Sequence, residues 1–271
     1  MSVQNQPSGF QRNGRNVGGY FGETVDIQPL IGNCAAEAKN HGWAIQELPA
    51  APARTLITLT RPARVSISAP VRVYVSTGIH GDEPAGPMAA LQLLREDFWP
   101  AELELLLCPC LNPAGFALNR RENPEGTDLN RQYLHPTAPE TLAHIAWLER
   151  QPRFDLCLCL HEDWESNGFY VYELNPDDRP SLAPGMIEAV EPVCPIDRAE
   201  IIEGRAAEGG IIRPSIDPRT RPQWPESFYL LTHKTRLSYT LEAPSDFPLS
   251  ARVAALVAAV NSAITGLVGI R

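Results

Sequence analysis

The hydrophobic residues form short continuous runs that alternate with amphipathic segments along most of the chain. The continuous runs predict buried strands over residues 43–48, 55–59, 71–79, 103–108, 154–160, 169–174, 228–232 and 237–241. Helical spacing predicts helices over residues 25–40, 85–95, 139–150, 184–190 and 249–268. This order predicts an α/β fold, a three-layer α/β/α sandwich around a mixed, largely parallel twisted sheet. We expect one domain over residues 1–271, with an irregular Gly/Pro/Arg-rich stretch over residues 203–225.

The most informative polar residues lie where the strand predicted over residues 71–79 ends. His80 and Glu83 form an H-x-x-E pair in a Gly-rich turn. Zinc accepts histidine nitrogen and carboxylate oxygen at about 2.0–2.2 Å, and catalytic zinc sites usually have three protein ligands and one open position. The pair therefore predicts a metal site that needs a third ligand. The alternative is a polar loop that contains a histidine and a glutamate by chance.

His161 is the candidate for the third ligand. It directly follows the strand predicted over residues 154–160, and acidic residues come next. In open α/β sheets, ligands bind outside the carboxyl ends of the strands, so two such strand ends can bring their polar residues together. Taken alone, His161 is better explained as a histidine with satisfied hydrogen bonds at a strand end. Together with His80 and Glu83, it favours a metal site.

A loop rich in glycine, proline and asparagine follows the strand predicted over residues 103–108. It contains Arg120, Arg121 and Arg131. Guanidinium groups near a metal suit carboxylate binding, since each offers two parallel donors. A solvated basic loop is the alternative, and it suits Arg120 better than the other two arginines.

Several short motifs now occur in a fixed order between roughly residues 71 and 242. They are H-x-x-E, N-P-x-G, R-x-N, D-L-N-R, a histidine after an apolar strand, and a glutamate near the C-terminus. This order resembles the zinc carboxypeptidase family and the related succinylglutamate desuccinylase and aspartoacylase group. The resemblance implies a single catalytic domain that binds one zinc ion through His80, Glu83 and His161.

The resemblance also implies roles for the other motif residues. Arg121 would polarise the scissile carbonyl. Asn130 and Arg131 would hold the terminal carboxylate of the substrate, and Asp128 would orient the first histidine ligand. Glu242, at the end of the strand predicted over residues 237–241, would be the general base that a reaction with zinc-activated water requires.

One part of the family pattern is missing. Carboxypeptidases carry a mobile tyrosine on a loop before the catalytic glutamate, whereas residues 213–227 contain Trp224 and no tyrosine. The other tyrosines of interest are Tyr170, Tyr172, Tyr229 and Tyr239. None of them can be assigned this role from the sequence, so the specificity stays open.

The resemblance favours a hydrolase that cleaves a C-terminal peptide (amide) bond with zinc-activated water. An N-acyl amino acid deacylase of the desuccinylase and aspartoacylase type is the alternative, because the segment GIHGDE suits either activity. A catalytically silent protein that binds peptide C-termini is the third possibility, although the chain retains all the ligands and the base. The expected substrate is a small peptide or an acylated amino acid with a free carboxylate.

Composition narrows the classes of partner and leaves the oligomeric state open. The net charge of −9 argues against nucleic acid. We expect no apolar run of the ~18–20 residues that span a bilayer. Residues 1–19 lack the apolar region of a signal peptide, so we expect a cytoplasmic protein. Cys108/Cys110 and Cys157/Cys159 form C-x-C pairs, which we expect to be buried thiols, with a structural zinc site as the alternative.

Overall fold

The computed structural model describes residues 10–214, 217 and 221–269. Part of the N-terminal segment and part of the stretch over residues 203–225 therefore lie outside the described residues. The strands are β1 (Ala44–Ala51), β2 (Arg54–Arg61), β3 (Val71–Thr77), β4 (Leu103–Cys108), β5 (Leu156–Asp163), β6 (Tyr170–Leu174), β7 (Ile201–Ile202), β8 (Arg205–Glu208), β9 (Ile211–Ile212) and β10 (Ser238–Pro244). The helices are α1 (Ile27–Asn40), α2 (Ala85–Glu96), α3 (Pro113–Ala117), α4 (Pro139–Arg150), α5 (Ala183–Val190), α6 (Glu226–His233) and α7 (Leu249–Gly269).

The strands form one mixed sheet with parallel strands at its centre. The strand order is β1-β2-β4-β3-β5-β10-β6-β9-β8-β7. The four strands β4, β3, β5 and β10 pair in parallel, and antiparallel pairings flank them on both sides. Parallel strands are buried on both faces, so they appear in sequence as continuous apolar runs. This property explains why the central strands were predictable, and the predicted mixed sheet is confirmed.

Helices cover both faces of this sheet and complete the three predicted layers. Residues of α1, α2, α5 and α7 belong to the larger core cluster, whereas residues of α4 and α6 belong to the second. Side chains alternate between the two faces along each strand. On β3, Val73 and Val75 point into the larger core and Tyr74 points into the second. The central strands are therefore fixed from both sides, and their carboxyl ends form a rigid edge.

Two predictions about local structure are wrong. The strand predicted over residues 228–232 lies within α6, which Pro225 precedes and which has Glu226 in its first turn. The run is apolar and buried, and periodicity alone cannot distinguish a short buried helix from a buried strand. The stretch over residues 203–225 is not wholly irregular, because it contains β8 and β9.

Helix α7 corrects the expectation that no apolar segment reaches bilayer length. Within the described residues it is the one helix with the length and composition to cross a membrane, with a mean hydropathy of 1.7. However, 61% of that apolar window is buried inside the protein. The helix packs against α2 and α5, and its residues fill the larger core. Its apolar composition is thus explained by its place in the core.

All six cysteines are free and buried. Cys108, Cys157 and Cys159 face the second core, whereas Cys110 lies in the larger core. The two C-x-C pairs therefore do not converge on one point. They behave as the small buried apolar residues that we expected, and the alternative of a structural zinc site is not supported.

Candidate active site

The candidate site lies at the carboxyl ends of the central parallel strands. The turn after β3 carries His80 and Glu83, while β5 carries His161 and β10 carries Glu242. These side chains line a cavity of about 320 Å³. The sheet therefore brings together residues that are separated by as much as 162 positions in sequence, because parallel strands end at the same edge.

The turn after β3 depends on glycine at two positions. Gly78 has a φ of +63°, a backbone conformation that residues other than glycine rarely adopt. Gly81 lies against α3 and the loop that follows it, because a Cβ built there would lie 2.1 Å from the carbonyl carbon of Gly115 and 2.6 Å from the carbonyl oxygen of Arg120. The N–H of Gly81 donates to the carbonyl oxygen of Arg121 at 3.3 Å. The loop that carries the H-x-x-E pair is thus packed directly on the loop that carries the arginines.

His80, Glu83 and His161 come together in a cluster that could hold a metal ion. One donor atom from each residue lies within 4.8 Å of the others. The carboxylate of Glu83 lies between the two rings, with Oε1 against Nδ1 of His80 and Oε2 at 3.0 Å from Nδ1 of His161. All three side chains are buried. Two imidazoles and one carboxylate that converge from a rigid edge fit the donor set of a catalytic zinc site.

The electrostatic environment of the cluster favours the ionised form of Glu83. Burial alone would raise the pKa of Glu83, but His80 and His161 lower it well below its usual value. Burial alone would lower the pKa of His80, but Glu83 and Asp128 raise it. An ionised carboxylate between two imidazoles is a donor set suited to a divalent cation.

Asp128 connects the first histidine to an arginine. Its Oδ1 accepts from Nε2–H of His80 at 3.3 Å, and its Oδ2 accepts from Nε–H of Arg121 at 3.0 Å. The backbone N–H of Asn130 also donates to Oδ1 at 2.9 Å, which fixes the carboxylate at the start of a short 3₁₀ turn over Leu129–Arg131. By binding Nε2, Asp128 leaves Nδ1 of His80 directed at Glu83.

The adjacent residues Arg120 and Arg121 have different contacts in the structure. Arg121 lines the cavity, and its Nη1 lies 3.8 Å from Oε1 of Glu83. Arg120 instead donates from Nη2 to the carbonyl oxygen of Asn123 at 2.5 Å. Arg121 therefore lies in the cavity next to Glu83, whereas Arg120 stabilises its own loop.

Asn130 is oriented by the start of α6. Its Oδ1 accepts from the backbone N–H of Glu226 at 2.9 Å. The amide N–H groups of the same side chain can therefore donate to a ligand. Arg131 follows it and lines the same cavity, with Nη1 bonded to the carbonyl oxygen of Asn130 at 2.9 Å. The structure thus places an amide donor and a guanidinium side by side at the cavity wall.

Glu242 lines the same cavity and lies beside His161 in the pairing of β10 with β5. Burial raises its pKa well above its ordinary value, and the negative charges of Glu83 and Asp163 add to this effect, which His161 partly offsets. The neighbouring carboxyl of Asp163 has its pKa raised by burial to about 6, and accepts from the hydroxyl of Tyr170 at 3.1 Å. A carboxylate of raised pKa near a metal site is suited to accept and return a proton.

A buried polar chain behind the site was not predicted from the sequence. Tyr133 donates to Nδ1 of His144 at 2.7 Å, and Nε2–H of His144 donates to the hydroxyl oxygen of Tyr74 at 2.9 Å. Tyr74 in turn donates to Oε1 of Glu226 at 2.8 Å, while Ser76 donates to Oε2 at 2.8 Å. Because the backbone N–H of Glu226 orients the side chain of Asn130, this buried chain of hydrogen bonds supports the cavity wall. Its residues are scattered in sequence, so no local motif marks them.

Two of the four tyrosines named above reach the cavity. Tyr170 and Tyr172 line it together with Arg205 and Arg221. Tyr239 does not, since its hydroxyl donates to Glu173 at 3.0 Å and accepts from a backbone N–H beside α5. The sequence pattern does not identify a tyrosine that corresponds to the loop tyrosine of carboxypeptidases.

The fold is thus an α/β sandwich with two histidines and a glutamate clustered at the ends of its central strands. Comparison with known proteins agrees. The family model "Succinylglutamate desuccinylase/Aspartoacylase catalytic domain" matches residues 69–189. The chain is therefore related to the zinc carboxypeptidase-like proteins and to the desuccinylase and aspartoacylase group, which confirms the resemblance seen in its motifs.

Individual relatives support the same relationship. Carboxypeptidase SOL1 from Arabidopsis thaliana is 30% identical over 125 residues, which cover 37% of this chain and only 24% of that protein. A candidate metallopeptidase from Shewanella amazonensis has a TM-score of 0.77 and 25% identity, covering 92% of this chain and 98% of that one. A metallo-carboxypeptidase from Pseudomonas aeruginosa, in complex with (2-guanidinoethylmercapto)succinic acid, has a TM-score of 0.63 and 20% identity, with coverage of 88% and 68%. This last match shows the fold alone.

Proposed function

We propose that the protein is a zinc-dependent hydrolase of the carboxypeptidase type, which cleaves the amide bond next to a free carboxylate. The observation that carries the proposal is the convergence of His80, Glu83 and His161 to within 4.8 Å at the edge where Glu242 also lies. A structural role alone would not require three buried side chains, from two histidines and a glutamate, to line one cavity together with the half-buried Glu242. Perturbed ionisable groups in a cleft are typical of active sites.

The metal would be one zinc ion held by the two histidines and Glu83. When bound, zinc supplies a Lewis acid that polarises a carbonyl and lowers the pKa of water to about 7. Three protein donors would suit a catalytic zinc site, which usually keeps one position for water or substrate. Asp128 would keep the first histidine in the tautomer that presents Nδ1, because it accepts the proton on Nε2.

Glu242 would be the general base. Its carboxylate would take a proton from the attacking water and return it to the leaving amine. Its raised pKa suits both steps, because a stronger base takes the proton more readily and its acid form then donates to the amine. Arg121 would stabilise the oxyanion that forms on the scissile carbonyl, since its guanidinium lines the cavity next to the cluster.

Asn130 and Arg131 would anchor the carboxylate of the substrate. The amide N–H groups of Asn130 and the guanidinium of Arg131 offer several parallel donors at one wall of the cavity. An anchor at a fixed distance from the metal selects the bond next to the terminal carboxylate, which is the definition of an exopeptidase. The succinate moiety in the Pseudomonas aeruginosa complex supports a carboxylate-bearing ligand for this fold.

A second candidate is an N-acyl amino acid deacylase that uses the same residues. Two observations favour it: the family model that matches residues 69–189, and the additional arginines at the cavity. Arg205 and Arg221 lie near Arg131, and the pKa of Arg221 is lowered by burial and by the other two positive charges. Such a cavity suits a substrate with more than one carboxylate. A catalytically silent protein that binds peptide C-termini is the third candidate.

One experiment distinguishes these candidates. The purified protein would be analysed for bound metal and then tested with free-acid peptides, their C-terminally amidated forms, and N-acyl amino acids. Cleavage of free-acid peptides alone supports the carboxypeptidase. Cleavage of acyl amino acids, with loss of activity when the acyl side is extended, supports the deacylase. A zinc-loaded protein that binds free-acid peptides without cleaving them would support the catalytically silent binding protein.

A further inference from the structure

A buried carboxylate outside the proposed ligand set connects two of the ligand-bearing segments. Glu162 follows His161 on β5, and its Oε1 accepts from the backbone N–H of Ala85 at 2.6 Å. Ala85 is the first residue of α2 and lies two positions after Glu83. One side chain, adjacent to the third ligand, thus holds the start of the helix that follows the second ligand.

Glu162 supplies the N-terminal cap that α2 lacks in its own sequence. The residue before the helix is Pro84, whose side chain makes no capping hydrogen bond. A carboxylate at a helix N-terminus satisfies an N–H group without an intrahelical partner and interacts favourably with the helix dipole. The first turn of α2, and Glu83 with it, is therefore tied to β5 by a contact across the fold.

The orientation of Glu162 depends in turn on Arg252 of α7. Oε2 of Glu162 accepts from Nη1 of Arg252 at 2.5 Å, and both side chains are fully buried. The other terminal nitrogen of Arg252 contacts the carboxylate of Glu23 in the N-terminal segment. Removing one partner of a buried ion pair leaves the other charge uncompensated. Both oxygens of Glu162 have protein donors, so this carboxylate is fully engaged in the protein.

We propose that Glu162 and Arg252 are positioning residues that set the separation of Glu83 and His161. The affinity of the site for a divalent metal would then depend on an ion pair that contacts no metal. The inference rests on the proposed metal site and deepens it. The physical reason is geometric, because metal–ligand distances tolerate deviations of only about 0.2 Å, and a small shift of α2 against β5 changes them directly.

The test compares zinc affinity, measured by competition with a chromogenic chelator, in the full-length protein and three variants. Glu162→Gln keeps the volume and an oxygen for the N–H of Ala85 but removes the charge. Arg252→Met removes the guanidinium, and Arg252→Lys keeps a positive charge. We expect Glu162→Gln and Arg252→Met to weaken zinc binding by about 10–100-fold, as the loss of a residue that contacts a metal ligand usually does. The Arg252→Lys variant should retain part of the affinity.

A matched control separates positioning from general stability. Arg61 is also buried, and its guanidinium donates to backbone carbonyls such as that of Pro100, at the edge of the sheet opposite the site. Arg61→Met should lower the melting temperature but leave zinc affinity unchanged. The absorption spectrum of the cobalt-substituted protein should change in Glu162→Gln and stay the same in the control, because it reports the ligand geometry directly.

The outcomes separate this inference from the proposed function. If the wild type binds zinc and Glu162→Gln binds it equally tightly with the same cobalt spectrum, the positioning role is overturned and the metal site stands. If Arg252→Met does not fold, the volume-conserving Glu162→Gln and Arg252→Lys variants still decide the question. A wild-type protein that binds no zinc would overturn the proposed function, and this inference with it.

Discussion

Glu242 lies directly beside His161 across the parallel pairing of β10 and β5. Cross-strand neighbours point to the same face of a sheet, so the backbone register places the candidate base next to a candidate ligand. Leu241 and Ala243 flank Glu242 and are fully buried. The position of the base is therefore set by rigid strands and does not depend on a loop.

Replacement of Glu242 by glutamine should abolish nearly all turnover while the protein keeps its zinc and its affinity for substrate. The amide preserves the shape of the side chain but cannot accept a proton. General-base catalysis is typically worth about 10²–10⁴-fold, and the loss should appear in kcat and kcat/KM together. The measurement is steady-state kinetics on a variant whose zinc content has been determined.

The pH profile gives an independent check of the same residue. The pKa of Glu242 is raised above its ordinary value, so the carboxylate becomes protonated and activity declines at a higher pH than for an exposed glutamate. The wild type should show this acidic limb, and the glutamine variant should lack it. A folded, zinc-loaded variant with near-wild-type kcat would contradict the mechanism.

Replacement of His161 by alanine should reduce bound zinc by about an order of magnitude or more, because a tetrahedral site would lose one of three protein ligands. Metal analysis after dialysis against a weak chelator measures the loss. The matched control is His144→Gln, which removes another buried histidine that lies behind the site and contacts tyrosines. Stoichiometric zinc in the His161 variant would show that the ligand assignment is incorrect.

Replacement of Asp128 by asparagine should have a milder effect, about 10–100-fold on zinc affinity or activity. The amide can still accept one hydrogen bond from His80 or Arg121, but it loses the negative charge that attracts both. Chelator competition and kinetics would be measured on the same preparation. An unchanged zinc affinity together with unchanged activity would show that Asp128 has no role in the site.

Replacement of Arg131 by alanine should raise KM for free-acid substrates and barely affect a C-terminally amidated one. The loss of one charge-assisted contact should cost about 1.5–3 kcal/mol. Arg198→Ala is the control, since Arg198 forms an exposed ion pair with Glu191. If the wild type cleaves free-acid and amidated peptides equally well, no carboxylate anchor operates and the exopeptidase proposal fails.

The buried chain through His144 predicts how stability depends on pH. Burial lowers the pKa of His144 from 6.5 to about 3. The unfolded state therefore binds an additional proton between these values, so this contribution is fully present above pH 6.5 and is lost as pH falls toward 3. It should decrease the free energy of unfolding by about 2 kcal/mol between pH 7 and pH 5.

Urea unfolding of the wild type and of His144→Gln at both pH values tests this prediction. The variant should be less stable at pH 7, because the hydrogen bonds to Tyr133 and Tyr74 are disturbed. Its stability should nevertheless fall less between pH 7 and pH 5 than that of the wild type. Equal decreases in the two proteins would contradict a neutral buried His144.

The sequence was most informative where chemistry follows a buried strand. The apolar runs before His80, His161 and Glu242 marked three parallel strands, and the shared edge of parallel strands brought the three residues together. Such predictions depend only on strand direction and side-chain chemistry. They succeeded because the centre of this sheet is apolar on both faces.

The predictions failed where a residue acts through contacts that are distant in sequence. The partner of Glu162 lies 90 positions away on α7, and Glu226 meets Tyr74 across 152 positions. No local spacing encodes such pairs. Glu226 was further obscured because α6 begins there and its apolar run was interpreted as a strand.

The close approach of Gly81 to Gly115 has a consequence for the engineering of this fold. A Cβ at Gly81 would overlap the backbone of Gly115 and Phe116 in α3 and would lie 2.6 Å from the carbonyl oxygen of Arg120 in the arginine loop. The turn after β3 is therefore packed against the backbone of α3 and of the arginine loop. The turn after β3 cannot be exchanged as an independent module, so a graft of the H-x-x-E turn onto another scaffold must include α3 and the arginine loop.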